Sequence, residues 1–151
     1  MAITITRTDW DDAAGAELRR AQRAELDSRY GSDDHEPGTP PSADDIAVFL
    51  VAFDADGSPV GCGALRRLDD ATAEIKRMFV APASRGTGVS SAVLRALEDE
   101  ARAMGVTELR LETGTEQPDA IRFYEREGYS PIPNFGPYVG SAISLCYART
   151  L

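Results

Sequence analysis

Cysteine and histidine are scarce in this chain, with 2 and 1 respectively among 151 residues. Cys62 and Cys146 stand far apart, each inside an apolar, strand-like run, and read as buried free thiols rather than a disulfide or metal framework. A reducing cytoplasm suits them. Long apolar runs are missing too: the longest, Ile46 to Phe53, falls far below the roughly 20 residues that span a bilayer. The first residues, Met1-Ala2-Ile3-Thr4-Ile5-Thr6-Arg7, show no basic start leading into an apolar core, so neither export nor membrane insertion is expected. Positive charge is in deficit, 16 Lys and Arg against 25 Asp and Glu, for a formal net charge of −9. That balance argues against nucleic acid and anionic membranes as partners. It fits a cationic small molecule or basic peptide, although solubility alone accounts for it. No internal repeat, heptad, low-complexity tract or basic stripe is present. The length suits one domain, residues 1–151, able to bury a core without staples.

What is present is concentrated in Val80-Ala81-Pro82-Ala83-Ser84-Arg85-Gly86-Thr87-Gly88-Val89-Ser90. An apolar segment ends there, turns through two glycines and opens into an amphipathic helix. Gly86 and Gly88 permit positive φ without a Cβ penalty, so successive N–H groups can converge at the positive end of a helix dipole, with Arg85 adding a fixed positive charge. The pattern has the shape of a pyrophosphate cradle. A Walker loop is excluded, because no Gly-Lys-Ser or Gly-Lys-Thr follows, and a dinucleotide fingerprint would want glycine at Ser91.

Around this loop the chain alternates strands and helices. Ile3 and Ile5 mark a short strand, and Asp9 precedes a helix running to about Tyr30. The stretch from Gly31 to Asp45, rich in glycine, proline and acids, is a long loop. Ile46 to Phe53 and Val60 to Arg67 form a hairpin about Asp54–Ser58, and Ala73 to Val80 is the next strand. Val89, Val93, Leu97, Ala101 and Met104 line one face of the helix that Gly105 closes. Glu108 to Thr113 is a strand, Asp119 to Arg126 a short helix, and Ser141 to Arg149 the last strand. Hairpins call for antiparallel pairing and the strand–helix–strand unit for parallel pairing, which gives a mixed sheet.

With Asp119-Ala120-Ile121-Arg122-Phe123-Tyr124-Glu125-Arg126-Glu127-Gly128-Tyr129 following the glycine loop, the chain resembles the GNAT superfamily of acyl-CoA-dependent N-acetyltransferases. Arg85, Gly88 and Ser90 occupy the places of that family's Arg/Gln-x-x-Gly-x-Gly/Ala pattern, with Ser90 a departure small enough for close backbone approach. Gln117 stands seven residues before Tyr124, where the family usually has Asn. The resemblance is specific from Glu74 to Tyr129 and general in the N-terminal third.

It implies an α/β (α+β) fold: a mixed, largely antiparallel central sheet with flanking helices and a strand–helix–strand cofactor cradle. It implies acetyl-CoA as cosubstrate, no metal, and direct attack by an amine in a ternary complex. The cofactor-binding residues would be Met78, Phe79, Val80, Arg85, Gly86, Thr87, Gly88, Val89, Ser90, Ser91, Gln117 and Tyr124. A backbone N–H near Phe79 or Val80 would polarise the thioester. Tyr124 would donate a proton to the departing thiolate, its competing role being core packing. Glu74 is the first candidate for general base and Glu112 the second, against the alternative that Glu74 merely pairs with Lys76 or Arg77. His35 takes no catalytic role, while Asp33, Asp34 and Glu36, with the segment Pro131–Tyr138, are candidate walls of an acceptor site. A homodimer through the C-terminal strand is a further expectation. The competing readings are a noncatalytic acyl-CoA sensor, a dinucleotide-binding protein and an interaction protein.

Overall fold

Seven strands build one sheet among residues 2–32 and 37–151, the residues that the computed structural model describes. They are β1 (Thr4–Arg7), β2 (Val48–Phe53), β3 (Pro59–Arg67), β4 (Thr72–Val80), β5 (Glu108–Gly114), β6 (Ser130–Ile132) and β7 (Ser144–Thr150). Their spatial order is β1-β2-β3-β4-β5-β7-β6. The helices are α1 (Ala13–Tyr30), α2 (Val89–Ala103) and α3 (Pro118–Arg126). Only the β4–β5 pair runs parallel among the described strands, because α2 carries the chain back across the sheet between them. The fold is the expected mixed, largely antiparallel one.

Local chemistry sets the element boundaries. α1 starts at Asp12 rather than Asp9: the Asp12 carboxylate accepts from the Ala14 N–H at 3.2 Å, and Gly31 ends the helix at φ 73°. The β2–β3 hairpin turns on Asp54, whose carboxylate accepts from the N–H groups of Asp56 and Ser58 at 2.9 and 3.0 Å. β7 begins at Ser144, three residues later than expected, because the chain is still turning at Ala142 and Ile143. β7 also lies inside the sheet, between β5 and β6, so the C-terminal strand is no edge for a dimer; the outer strands are β1 and β6.

Two apolar clusters cover the two faces. Beneath α2 and α3, Val89, Val93, Leu94, Leu97 and Ala101 pack against Val48, Leu50, Leu65, Ile75, Leu109 and Leu111. Each aliphatic side chain of that size contributes about 1.5–3 kcal/mol by burial. Beneath α1, Leu18 and Trp10 meet Phe49, Val51, Cys62, Ala64 and Phe79. Strand alternation places Glu74 and Lys76 on this second face, in register with Arg66 and Ala64 of β3.

Candidate active site

The sheet splits between β4 and β5. Their pairing ends at Ile75↔Leu111, although β4 continues along β3 to Val80 and β5 continues along β7 to Gly114. A β-bulge accompanies the split: Arg77 and Met78 together oppose Gly63, and Arg77 takes φ 56°. A non-glycine residue there carries about 1–3 kcal/mol of backbone strain, of a kind that clusters at functional sites. Two contacts hold the bulge. The Cys62 thiol donates to the Arg77 carbonyl at 3.2 Å, and Gln22 Nε2 of α1 donates to the Met78 carbonyl at 2.9 Å. Burial pushes that thiol up to about 12, so Cys62 acts as a neutral donor and not as a nucleophile.

The wedge so opened holds a cavity of about 100 Å³, lined by Ile75–Met78, Glu112–Gly114, Gln117 and Tyr124. It adjoins a cleft of about 530 Å³ with which it shares Gln22, Leu26, Met78, Gln117, Ala120 and Tyr124. Ten of the residues expected to bind a cofactor line the larger cleft: Met78, Phe79, Val80, Arg85, Gly86, Gly88, Ser90, Ser91, Gln117 and Tyr124. Thr87 and Val89 do not. The Thr87 hydroxyl donates back to the Ser84 carbonyl and closes the turn, and the Val89 side chain is buried in the core, leaving only its backbone for the cleft.

Gly88 is the N-cap of α2 at φ 89°, and no side chain caps the helix. The first N–H groups of a helix have no intrahelical partners, so an uncapped start that lines a cleft is a prepared anion site. Arg85 departs from the expectation of a charge held in the loop. Its Nη2 donates to both oxygens of Glu25 on α1, at 2.8 and 3.1 Å, and its Nε to the Val80 carbonyl at 3.0 Å. The guanidinium thus ties the end of β4 to α1 across the cleft.

Tyr124 lies where cleft and wedge meet. Its ring packs edge-on against Phe123 and Tyr129, at centroid distances of 5.1 and 5.8 Å. Its hydroxyl makes no hydrogen bond among the described residues, and burial raises its pKa well above the ordinary phenol value. The group is therefore a neutral donor throughout the physiological range. The ring is packed in the core, 6% exposed, and still borders both cavities.

The two glutamates are separated by the same geometry. Glu74 lines neither cavity; it is 2% exposed, accepts from Tyr138 Oη at 2.5 Å, and lies 3.6 Å from Lys76 Nζ, which donates to the same Tyr138 oxygen at 2.9 Å. The pairing with Lys76 is present, but buried rather than on the surface. Glu112 lines the wedge and accepts from Ser144 Oγ at 2.7 Å. Asp33, Asp34, His35 and Glu36 lie outside the described residues. Of the 131–138 segment, Tyr138 packs fully buried against Glu74 and Lys76 instead of walling a cavity.

The sequence pointed to the α1 helix but not to its part in the cleft. Gln22, Glu25, Leu26 and Arg29 line the larger cleft, and their i, i+3, i+4, i+7 spacing on one helical face was the available signal. The contact between Lys76 and Tyr138 was not foreseen, because it spans 62 residues of chain. Among the described residues no group of three or more His, Cys, Asp or Glu is placed to hold a metal ion, and no helix is long and apolar enough to cross a membrane.

Comparison with known proteins matches this arrangement. The model of the acetyltransferase (GNAT) family matches residues 10–129. The chain is 41% identical over 104 residues to the IAA acetyltransferase of Azospirillum brasilense, a match covering 68% of this chain and 67% of that one. A solved structure from Klebsiella pneumoniae, assigned as an acyl-CoA N-acyltransferase, superposes with a TM-score of 0.84 at 32% identity, covering 99% of this chain and 97% of that one. The PaiA N-acetyltransferase of Thermoplasma acidophilum, solved with coenzyme A, shares the fold at a TM-score of 0.72, with 18% identity and full coverage of both chains. The split sheet, the glycine loop and the tyrosine helix are thus found together in a chain that belongs to the GNAT acetyltransferase family.

Proposed function

We propose that this protein is an N-acetyltransferase that moves an acetyl group from acetyl-CoA to a primary amine within a ternary complex. The observation that carries the reading is the junction of cleft and wedge at Tyr124, with the uncapped start of α2 on one side and the freed edge of β4 on the other. The residues present fit CoA. Gly88 and the N–H groups of Val89, Ser90 and Ser91 would receive the pyrophosphate, and Met78, Phe79 and Val80 would pair with the pantetheine arm in place of the missing strand. CoA bound to the Thermoplasma acidophilum neighbour supports the same choice of cosubstrate.

When bound, acetyl-CoA supplies an activated thioester. The chain must then accept a proton from the attacking nitrogen, polarise the carbonyl and protonate the leaving sulfur as the C–S bond breaks. Glu112, the glutamate that borders the wedge, takes the first proton, directly or through water. A backbone N–H of Phe79 or Val80 polarises the carbonyl. Tyr124, neutral and without a hydrogen bond to any other described residue, donates to the sulfur and is reprotonated from solvent. Glu74 holds Lys76 and Tyr138 in place. The setting is cytoplasmic, where acetyl-CoA and reduced thiols coexist.

Calorimetric titration with acetyl-CoA, CoA and NAD, repeated on Gly88→Glu, tests the reading. Micromolar binding of the CoA species that is lost in the variant is the expected result, followed by thiol release on screening amines. Absence of CoA binding sinks the proposal. Binding without turnover of any amine leaves the protein an acyl-CoA sensor.

A further inference from the structure

We infer that Glu25 sets the affinity of the cofactor cleft by competing with the pyrophosphate of CoA for the guanidinium of Arg85; this rests on the acetyl-CoA reading above. Glu25 projects from α1 into the cleft whose floor is the glycine loop, and both residues of the pair line it. The Arg85 guanidinium is anchored at one nitrogen by the Val80 carbonyl, at 3.0 Å, while its Nη2 is committed to Glu25 at 2.8 and 3.1 Å. A phosphate arriving at the start of α2 meets a cation already neutralised, with a carboxylate facing the ligand's own negative charge.

Exchange of partners is open to this pair. The side chains are 41% and 29% exposed, so parting them strands no buried charge. Glu25 also keeps a second cation, since Arg29 Nη2 lies 3.5 Å from its Oε1 one turn along α1. Arg85 can therefore turn to a phosphate while Glu25 stays paired with Arg29. Asp119, the other carboxylate lining this cleft among the described residues, is satisfied by Arg122 on its own helix and does not touch Arg85. Glu25 is thus the acid whose removal frees Arg85, and its presence holds CoA affinity down and favours release of the product CoA.

The test is a double-mutant cycle by calorimetry on the full chain: wild type, Glu25→Gln, Arg85→Gln and the double variant, each titrated with CoA and with acetyl-pantetheine, which carries no phosphate. Glu25→Gln should bind CoA about five- to tenfold more tightly, as expected for removing one like charge near a phosphate at a partly exposed site. Acetyl-pantetheine affinity should stay unchanged, which also shows that the variant's cleft is intact. In the Arg85→Gln background the gain should vanish. Unchanged or weaker CoA binding by Glu25→Gln overturns the inference. So does a gain that persists without Arg85 or that extends to acetyl-pantetheine. If wild type binds no CoA, the acetyl-CoA reading itself fails and takes this inference with it.

Discussion

Tyr138 donates its hydroxyl hydrogen to Glu74 at 2.5 Å while accepting from Lys76 at 2.9 Å, so a carboxylate and an ammonium share one buried phenol. Removing Glu74 takes the carboxylate from beside the buried Lys76 ammonium, whereas removing the Tyr138 hydroxyl takes one hydrogen bond from each charge and leaves the two charges 3.6 Å apart. Glu74→Ala should therefore destabilise the fold by about 3–5 kcal/mol, and Tyr138→Phe by about 1–2 kcal/mol, in urea denaturation. A loss below about 1 kcal/mol for Glu74→Ala would show that the triad does not stabilise the fold.

The proton acceptor is expected to be Glu112. In Glu112→Gln the acid limb of the kcat/KM profile should flatten, with a loss of about 10²–10⁴ in rate at neutral pH. In Glu74→Gln the limb should persist, whatever the change in stability. A limb that follows Glu74 instead would return the role to that residue.

Tyr124→Phe should lower kcat by about 10²–10⁴ with little change in CoA affinity. Because the hydroxyl has no partner among the described residues, stability should move by less than about 1 kcal/mol. Burial raises the Tyr124 pKa, so a wild-type basic limb below pH ~10 would belong to another group. Equal kcat in Tyr124→Phe would remove it from the mechanism.

Gly88→Ala tests conformation separately from crowding. A Cβ at this position meets no atom within 4 Å, so the penalty comes from φ 89° alone and should be about 1–2 kcal/mol in thermal unfolding. CoA affinity should fall with it as the start of α2 shifts. Contrast Gly114, where a Cβ would lie 1.5 Å from Tyr30 Oη: in Gly114→Ala the Tyr30 ring must move aside.

Glu98 provides the pH test of stability. Burial raises its pKa, but hydrogen bonds from Arg95 and Tyr129 and the nearby Arg149 charge outweigh burial and leave the carboxyl below the usual range. A lowered folded value means that the stabilisation is fully present above the unfolded-chain value of about 4.3 and is lost as pH falls through the folded value. Glu98→Gln should therefore be less stable than wild type at pH 7, with the gap closing toward pH ~3. A constant gap in melting temperature across that range would contradict this.

Sequence by itself determined what depends on neighbours along the chain. The α2 stripe of Val89, Val93, Leu97 and Ala101 follows from a 3.6-residue period, the turn at Gly86 and Gly88 from the φ values only glycine takes cheaply, and the order of strands and helices from punctuation by Gly, Pro and Asp. Those local rules, with the Tyr124 motif, sufficed for the fold and for ten of the twelve expected cofactor residues to fall on one cleft. Tertiary structure alone decided the rest. Whether Glu74 or Glu112 borders the wedge depends on where β4 and β5 part, after Ile75 and Leu111, and the strain at Arg77 is stored by contacts from Gln22 and Cys62. The partner of Arg85 is Glu25, 60 residues earlier, and that of Glu74 is Tyr138, 64 residues later. Such pairs leave no local trace, because a charged side chain in sequence reads the same whether it meets water or another element; only the packing of α1 and the Gly136–Tyr138 turn onto the sheet selects its partner.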